Sequence, residues 1–266
     1  MSTCQTIRLA LDEDAHVAAI TLDRPERLNA APPRMADEIV QALDSALTHK
    51  MRAVLITGEG RAFCSGADLA GGRDRNEGFG GDAAQASLTG HYNPMMRKLA
   101  ALPVPLITAV NGPAAGIGCS IALAGDFVIA GRSAYFLQAF VNIGLVPDGG
   151  ASWTLPRLIG KARAFEMMML GEKIDAVKAL DWGMIYSVVD DASLPTEATA
   201  LAQRLAKGPT RALGLMRRCA AENLDRDFAG ALAAEADAQR DAGNSADARI
   251  GAAAFLKKQT ADFTGE

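Results

Sequence analysis

Two glycine-bearing turns and one aspartate carry the residue types in this chain that could do chemistry. The turns are RAFCSGADL at 61–69 and NGPAAGIGCSIALA at 111–124. Each follows a short apolar run, AVLIT at 53–57 and LITAV at 106–110. Each places glycine where a strand would turn into a helix, and the first N–H groups of a helix have no intrahelical partner. Those donors, with the helix dipole behind them, suit developing negative charge. Two such units suggest a pair of N–H donors aimed at one oxygen, the device that holds an oxyanion. The other reading of the same glycines is tight turns and close packing alone. Two matching turns, each with a small residue at the helix start, favour the functional reading.

Such a site also needs a group that moves protons. Of the three histidines, His16 falls in a hairpin and His49 at a helix end, and His91 stands beside a glycine-rich stretch. Asp148 sits between Pro147 and Gly149 at the end of an apolar run. Taken alone it reads as a turn aspartate accepting local N–H bonds. Asp68 reads as a helix N-cap closing the SGAD turn, and Asp126 as structural. Cys64 and Cys119 lie beside the turns, but no histidine is close in sequence to either, and both read as small buried hydrophobes. The glycines at 58, 60 and 66 and at 112, 116 and 118 do not form the GxGxxG of a dinucleotide site.

The elements that must position these groups follow from periodicity. Alternation at 7–11 and 17–22 predicts a hairpin, and the proline-rich 23–33 a loop. Helical spacing at 35–47 and 92–102 predicts amphipathic helices. Residues 53–57, 106–110 and 127–130 read as short buried strands, and 116–124 as a helix rich in small residues. The stretch 71–90 holds six glycines and little to bury, and predicts a mobile loop that could cover a site. From Pro156 onward the pattern is helical, at 158–170, 175–182, 198–207, 210–224, 228–243 and 252–258, with one apolar run at 184–189. The alternation is that of an α/β core followed by a helical tail.

The chain has 266 residues, 49% hydrophobic and 22% charged, enough to bury a core as one large domain or two small ones. A net charge of -4 gives no reason to expect nucleic acid or an anionic membrane as partner. The N-terminal residues lack the layout of a signal peptide, and no apolar run is long enough to span a bilayer. Four scattered cysteines, with no CxxC pair or Cys/His cluster, argue against zinc and for reduced thiols in a cytoplasmic protein.

Four blocks carry a family likeness: LDRPERLNA (22–30), GEGRAFCSGADL (58–69), AVNGPAAGIGCSIALAGDFVIA (109–130) and IGLVPDGGASWTLPRLIG (143–160). In order and spacing they resemble the crotonase family, also called the enoyl-CoA hydratase/isomerase family, from about Ile7 to the C-terminus. The resemblance implies an α/β crotonase fold. Its core is a spiral of repeated ββα units over 1–195, holding the acyl-CoA site, and 196–266 form a helical region used in trimerisation. It implies an acyl-CoA thioester as substrate, with coenzyme A as part of the substrate, no further cofactor, no metal, and a homotrimer or hexamer. Substrate and CoA contacts fall to Arg27, Leu28 and Ala30, to Ser65, Gly66, Asp68 and Leu69, and to Gly116, Phe140 and Pro147. The oxyanion hole falls to the N–H groups of Ala67 and Ile117. Family members often carry glycine at the Ile117 position. Isoleucine keeps the N–H, and its side chain must point away from the thioester or narrow the pocket.

The acids depart from the hydratase pattern. Members that hydrate a double bond are similar to one another in carrying two glutamates, and the matching positions here hold Ser120 and Phe140. Asp148 is then the well-placed acid, and some members that isomerise, ring-expand or dehalogenate use an aspartate in this loop. Burial beside Phe140 and Trp153 is expected to raise its pKa. HYNPMMRKLAALPVPLITAVNG (91–112), GMIYSVVDD (183–191) and AAAFLKKQTADFTGE (252–266) are similar to the family branch that serves phenylacetate degradation. That branch rearranges a ring epoxide of a CoA thioester and can shift double bonds. The expectation is an acyl-CoA isomerase with Asp148 as proton shuttle. The alternatives are a hydratase using Asp148 and a water, a dehalogenase using it as nucleophile, and a non-catalytic acyl-CoA-binding subunit.

Overall fold

The computed structural model describes residues 4–69 and 80–266. Its frame is a six-stranded sheet in the order β1-β2-β3-β4-β6-β9. β1 (Ile7–Asp12) and β2 (Val17–Leu22) form the expected antiparallel hairpin. β3 (Ala53–Gly58), β4 (Leu106–Val110), β6 (Phe127–Gly131) and β9 (Ser187–Val189) then add in parallel. Successive side chains on a strand point to opposite faces, and here both faces are buried. Val54 and Ile56 of β3 face one cluster, with Met35, Ile39 and Leu43 of α1 (Pro33–Thr48) and Met95 and Leu99 of α3 (Asn93–Ala100). Ala53 and Leu55 face the other, covered by Leu194, Ala198, Ala202 and Ala206 of α7 (Leu194–Ala206). That double burial explains why the strands read as unbroken apolar runs.

A second, smaller layer pairs β5 (Pro113–Ala115), β7 (Tyr135–Leu137) and β8 (Ile174–Asp175). Parallel bridges extend it from Cys64 to Ala114 and from Ala67 to Ala31. Each central strand of the main sheet therefore runs on into this layer: β3 to Cys64, β4 to β5, β6 to β7. α4 (Ile117–Leu123) leaves directly from β5. This repetition is the ββα spiral of the crotonase fold.

Several expectations change. Within 71–90, residues 71–79 lie outside the described residues, but Gly81–Ser87 forms a helix, α2, followed by a wider turn at Leu88–Tyr92. The alanines at 83, 84 and 86 favour helix and outweigh the flanking glycines. Helical character after the core starts at α5 (Ala151–Phe165), earlier than Pro156, because two left-handed glycines at 149 and 150 turn the chain into it. α6 (Ala176–Asp181), α8 (Thr210–Glu222) and α9 (Phe228–Gly243) fall near their expected places, and α10 (Ala246–Leu256) starts six residues before the expected 252. Asp126 is structural as expected: it accepts from the Leu106 N–H at 2.8 Å and from Arg217 Nε of α8.

Two residues lock the layers together. Asn29, fully buried with a left-handed φ of 54°, donates to the carbonyls of Glu59 and Ala62 and accepts from the Arg24 N–H. Gly118 sits where a Cβ would lie 2.3 Å from the Cys64 carbonyl oxygen, so α4 presses onto the backbone of the first turn. Gly118→Ala should force the two turns apart at a cost of about 1–3 kcal/mol. For a chain of this size that lowers Tm by about 3–10 °C in calorimetry; an unchanged Tm would show that the turns are not packed this closely.

Candidate active site

The two expected N–H donors are built differently. Ala67 is in an extended segment paired in parallel with Ala31: the Ala31 N–H donates to the Gly66 carbonyl at 2.8 Å, and the Asp68 N–H to the Ala31 carbonyl at 2.9 Å. Those bonds use the neighbours of Ala67, so its own N–H points away from Ala31. As far as Leu69 the chain has not become a helix, which corrects the expectation of a helix N-terminus at the first turn. Ile117 does open a helix. It follows Gly116, whose φ of 53° only glycine adopts readily, and as the first residue of α4 its N–H has no intrahelical acceptor. The turns touch: a Cβ on Gly116 would lie 3.7 Å from the Gly66 Cα.

Asp148 is held by its main chain. Its carbonyl accepts from Ser120 Oγ at 3.0 Å and from the Ala151 N–H at 3.1 Å. Its carboxylate oxygen Oδ1 is buried and has no hydrogen-bond partner among the described residues. Burial pushes the Asp148 carboxyl up to about 6. The expected neighbours contribute unequally. Phe140 packs its ring edge against Gly116 and lines the same cavity as Asp148. Trp153 does not: it is 40% exposed, with the Arg157 guanidinium 4.1 Å above its ring, because α5 carries it to the outer face.

One cavity of about 910 Å³ gathers most of the predicted residues. Ala67, Gly116, Ile117, Phe140, Pro147 and Asp148 line it, and so do Ser65, Gly66, Asp68 and Leu69. Arg27, Leu28 and Ala30 are not on its wall. They form the adjacent loop, tied to it where the Ser65 N–H donates to the Leu28 carbonyl. The Asp68 carboxylate meets Arg24 Nη1 at 2.8 Å, and Arg24 also donates to the Ala30 carbonyl, bracing that loop; the helix that Asp68 was expected to cap would fall in 70–79, outside the described residues. His91 reaches the cavity wall with Nδ1 2.9 Å from Asp37 Oδ1. Burial raises the thiol pKa of Cys64 to about 11 and of Cys119 to about 12, which suits inert side chains. Among the described residues, no group of three His, Cys, Asp or Glu is placed to hold a metal, and no helix is long and apolar enough to cross a membrane.

Three contributors escaped the sequence reading. Tyr92 lines the cavity and donates its hydroxyl to the Ala31 carbonyl at 2.6 Å, pinning the strand that pairs with Ala67. Burial, then the charges of Cys64 and Asp148, raise its pKa. α2 supplies one wall, from a stretch that reads as glycine-rich loop. Gln138, wholly buried, lies just before the Phe140 turn. A glutamine between apolar residues in FLQAF was the available signal for it.

Comparison with known proteins gives the family to which this arrangement belongs. The family model for enoyl-CoA hydratase/isomerase matches residues 12–266. A 1,2-epoxyphenylacetyl-CoA isomerase of Escherichia coli K12 is 45% identical over 253 residues, 94% of this chain and 95% of that one. A "probable enoyl-CoA hydratase" of Rhodobacter capsulatus is 43% identical over 260 residues, 98% of each. The crystal structure of an enoyl-CoA hydratase from Polaromonas sp. JS666 superposes with a TM-score of 0.88 at 32% identity, covering 97% of this chain and 99% of that one. The chain belongs to the enoyl-CoA hydratase/isomerase family.

A half-buried carboxylate with one oxygen unpaired among the described residues weakens the fold that holds it. With an unfolded pKa near 4 and a folded value of about 6, its contribution to stability falls as pH rises from about 4 to about 6 and is level above. Asp148→Asn lacks that term. Its Tm should exceed the wild-type value at pH 8, by the equivalent of about 1–3 kcal/mol, with the gap closing below pH 4. A gap independent of pH would show that the carboxyl is not desolvated.

Proposed function

We propose that this protein is an acyl-CoA isomerase in which Asp148 is the single proton carrier and the N–H groups of Ala67 and Ile117 form the oxyanion hole. The observation that carries the proposal is one buried carboxylate, raised to about 6, on the same cavity as two backbone N–H groups from adjoining turns. With a 3-enoyl thioester, the Asp148 carboxylate takes a proton from the carbon next to the thioester. Electron density moves onto the thioester oxygen, where the two N–H groups hold it. Asp148 then delivers the proton two carbons further on, and the double bond ends beside the thioester. In comparable sites each oxyanion donor is worth about 3–4 kcal/mol.

Ser120 and Phe140 support isomerisation over hydration. Hydration needs one group to orient water and another to protonate carbon, and these two side chains cannot act as carboxylates. The Ser120 hydroxyl is already committed to the Asp148 carbonyl. The likeness to the Escherichia coli isomerase points to ring-epoxide rearrangement of an arylacetyl-CoA as the related chemistry of the same site. The hydratase reading has its own support in the Rhodobacter relative. The loop of Arg27, Leu28 and Ala30, with Ser65 and Leu69, would meet the nucleotide end of coenzyme A. The core over 1–195 would carry catalysis, and the helices over 196–266 a trimer or hexamer. The exposed Phe228, Phe255 and Leu256 on α9 and α10 suit burial against other subunits.

Asp148→Asn should lower kcat for 3-hexenoyl-CoA at least a thousandfold while leaving acyl-CoA binding within a few fold, since amide and acid are alike in size. In the wild type, kcat/KM should fall with each pH unit below about 6, where the base is protonated, and level off above. Undiminished turnover by the variant, or a mass increase of one water in the product, sinks the isomerase mechanism.

A further inference from the structure

Two cavities are lined by neighbouring residues of one turn, Asp148 for one and Gly149 for the other. The larger carries Asp148, Gly116 and Ile117. The second, about 110 Å³, begins at Ser120 and Gly149 and runs between Met96, Leu155 and the buried Gln138. The side chain of Ile117 stands against the same two residues that begin the second cavity. A Cβ built on Gly149 would lie 2.6 Å from Ile117 Cδ1 and 2.7 Å from Ser120 Cβ. Ile117 is only 1% exposed, and its Cδ1 methyl packs toward Gly149. Isoleucine is accommodated because its side chain packs under the Asp148 turn.

The second cavity is not wholly apolar. Gln138 is fully buried and neither amide atom has a well-formed hydrogen-bond partner among the described residues. The Cys119 thiol beside it is a weak partner. Buried amides are almost always paired, so this one offers both a donor and an acceptor to whatever enters.

We propose that Ile117 is the specificity-determining residue for acyl length. Its side chain shuts the acyl group out of the second cavity, which is a latent subsite for the distal end of a longer chain. The Gln138 amide suits that subsite to a chain ending in a hydroxyl. The proposal rests on the acyl-CoA reading of the larger cavity, but not on the identity of the proton carrier.

The test measures binding of saturated acyl-CoA thioesters, which cannot isomerise, by titration calorimetry from butanoyl- to decanoyl-CoA. Ile117→Ala should raise the affinity for long chains relative to short ones by about tenfold over wild type, the worth of roughly two further buried methylenes. Ile117→Val, which lacks only the Cδ1 methyl that meets Gly149, should fall between them and reads the effect if the alanine variant folds poorly. In the Ile117→Ala background, an ω-hydroxyacyl-CoA should bind more tightly than its unsubstituted counterpart, and Gln138→Leu should abolish that advantage. The same chain-length dependence in all three proteins overturns the proposal, and an ω-hydroxyl advantage that survives Gln138→Leu overturns the part given to the amide. A shifted length preference in the variants, beside a wild-type protein that turns over no enoyl-CoA, supports the Ile117 wall while refuting the isomerase reading.

Discussion

The site depends on one constraint: the close parallel approach of the two turns that leave β3 and β4. Cys64 pairs with Ala114, the Ala115 N–H donates to the Cys64 carbonyl, and Ala67 pairs with Ala31 on the other side. Gly118 allows α4 to press directly on Cys64. Because backbone pairs with backbone at fixed spacing, the Ala67 and Ile117 N–H groups are positioned by the second sheet layer and not by any flexible side chain. Such donors need no reorganisation as charge develops. The surrounding contacts serve the same register: Asn29 clamps the loop below, Tyr92 pins Ala31, and Arg24 holds Asp68.

The Asp148 turn is the counterpart of that rigid pair of N–H groups. Ser120 bonds to the main chain of the turn that presents Asp148. Among the described residues that acid has no ionic partner, and burial raises its pKa. A base tuned near neutrality takes a proton from carbon more effectively than an ordinary surface aspartate. The same desolvation is a local loss of stability, the usual relation between a tuned acid and the fold around it.

Much of this was legible in the residues. The strands announced themselves because burial on both faces leaves unbroken apolar runs, and the paired glycine turns marked where those strands leave the sheet. What misled was local composition standing in for tertiary context. The glycines around 71–90 masked the alanine-driven helix α2. The SGAD turn suggested a helix start, whereas Ala31 captures the segment as a strand partner. Trp153 was expected beside Asp148 on sequence proximity, yet the helical rotation of α5 turns it outward. Tyr92 and Gln138 could not be placed, since their roles depend on partners far off in the chain. The side chain of Ile117 was the open question of the sequence, and its packing against Gly149 is visible only in three dimensions.

The most direct measurement follows 3-hexenoyl-CoA in D2O with wild-type protein and reads the product by mass spectrometry during early turnover. A single aspartate that carries one proton between two carbons of a held enolate predicts the conjugated 2-enoyl thioester, with a fraction of molecules containing no deuterium because the original proton is returned. A product heavier by one molecule of D2O would contradict it, because that is hydration.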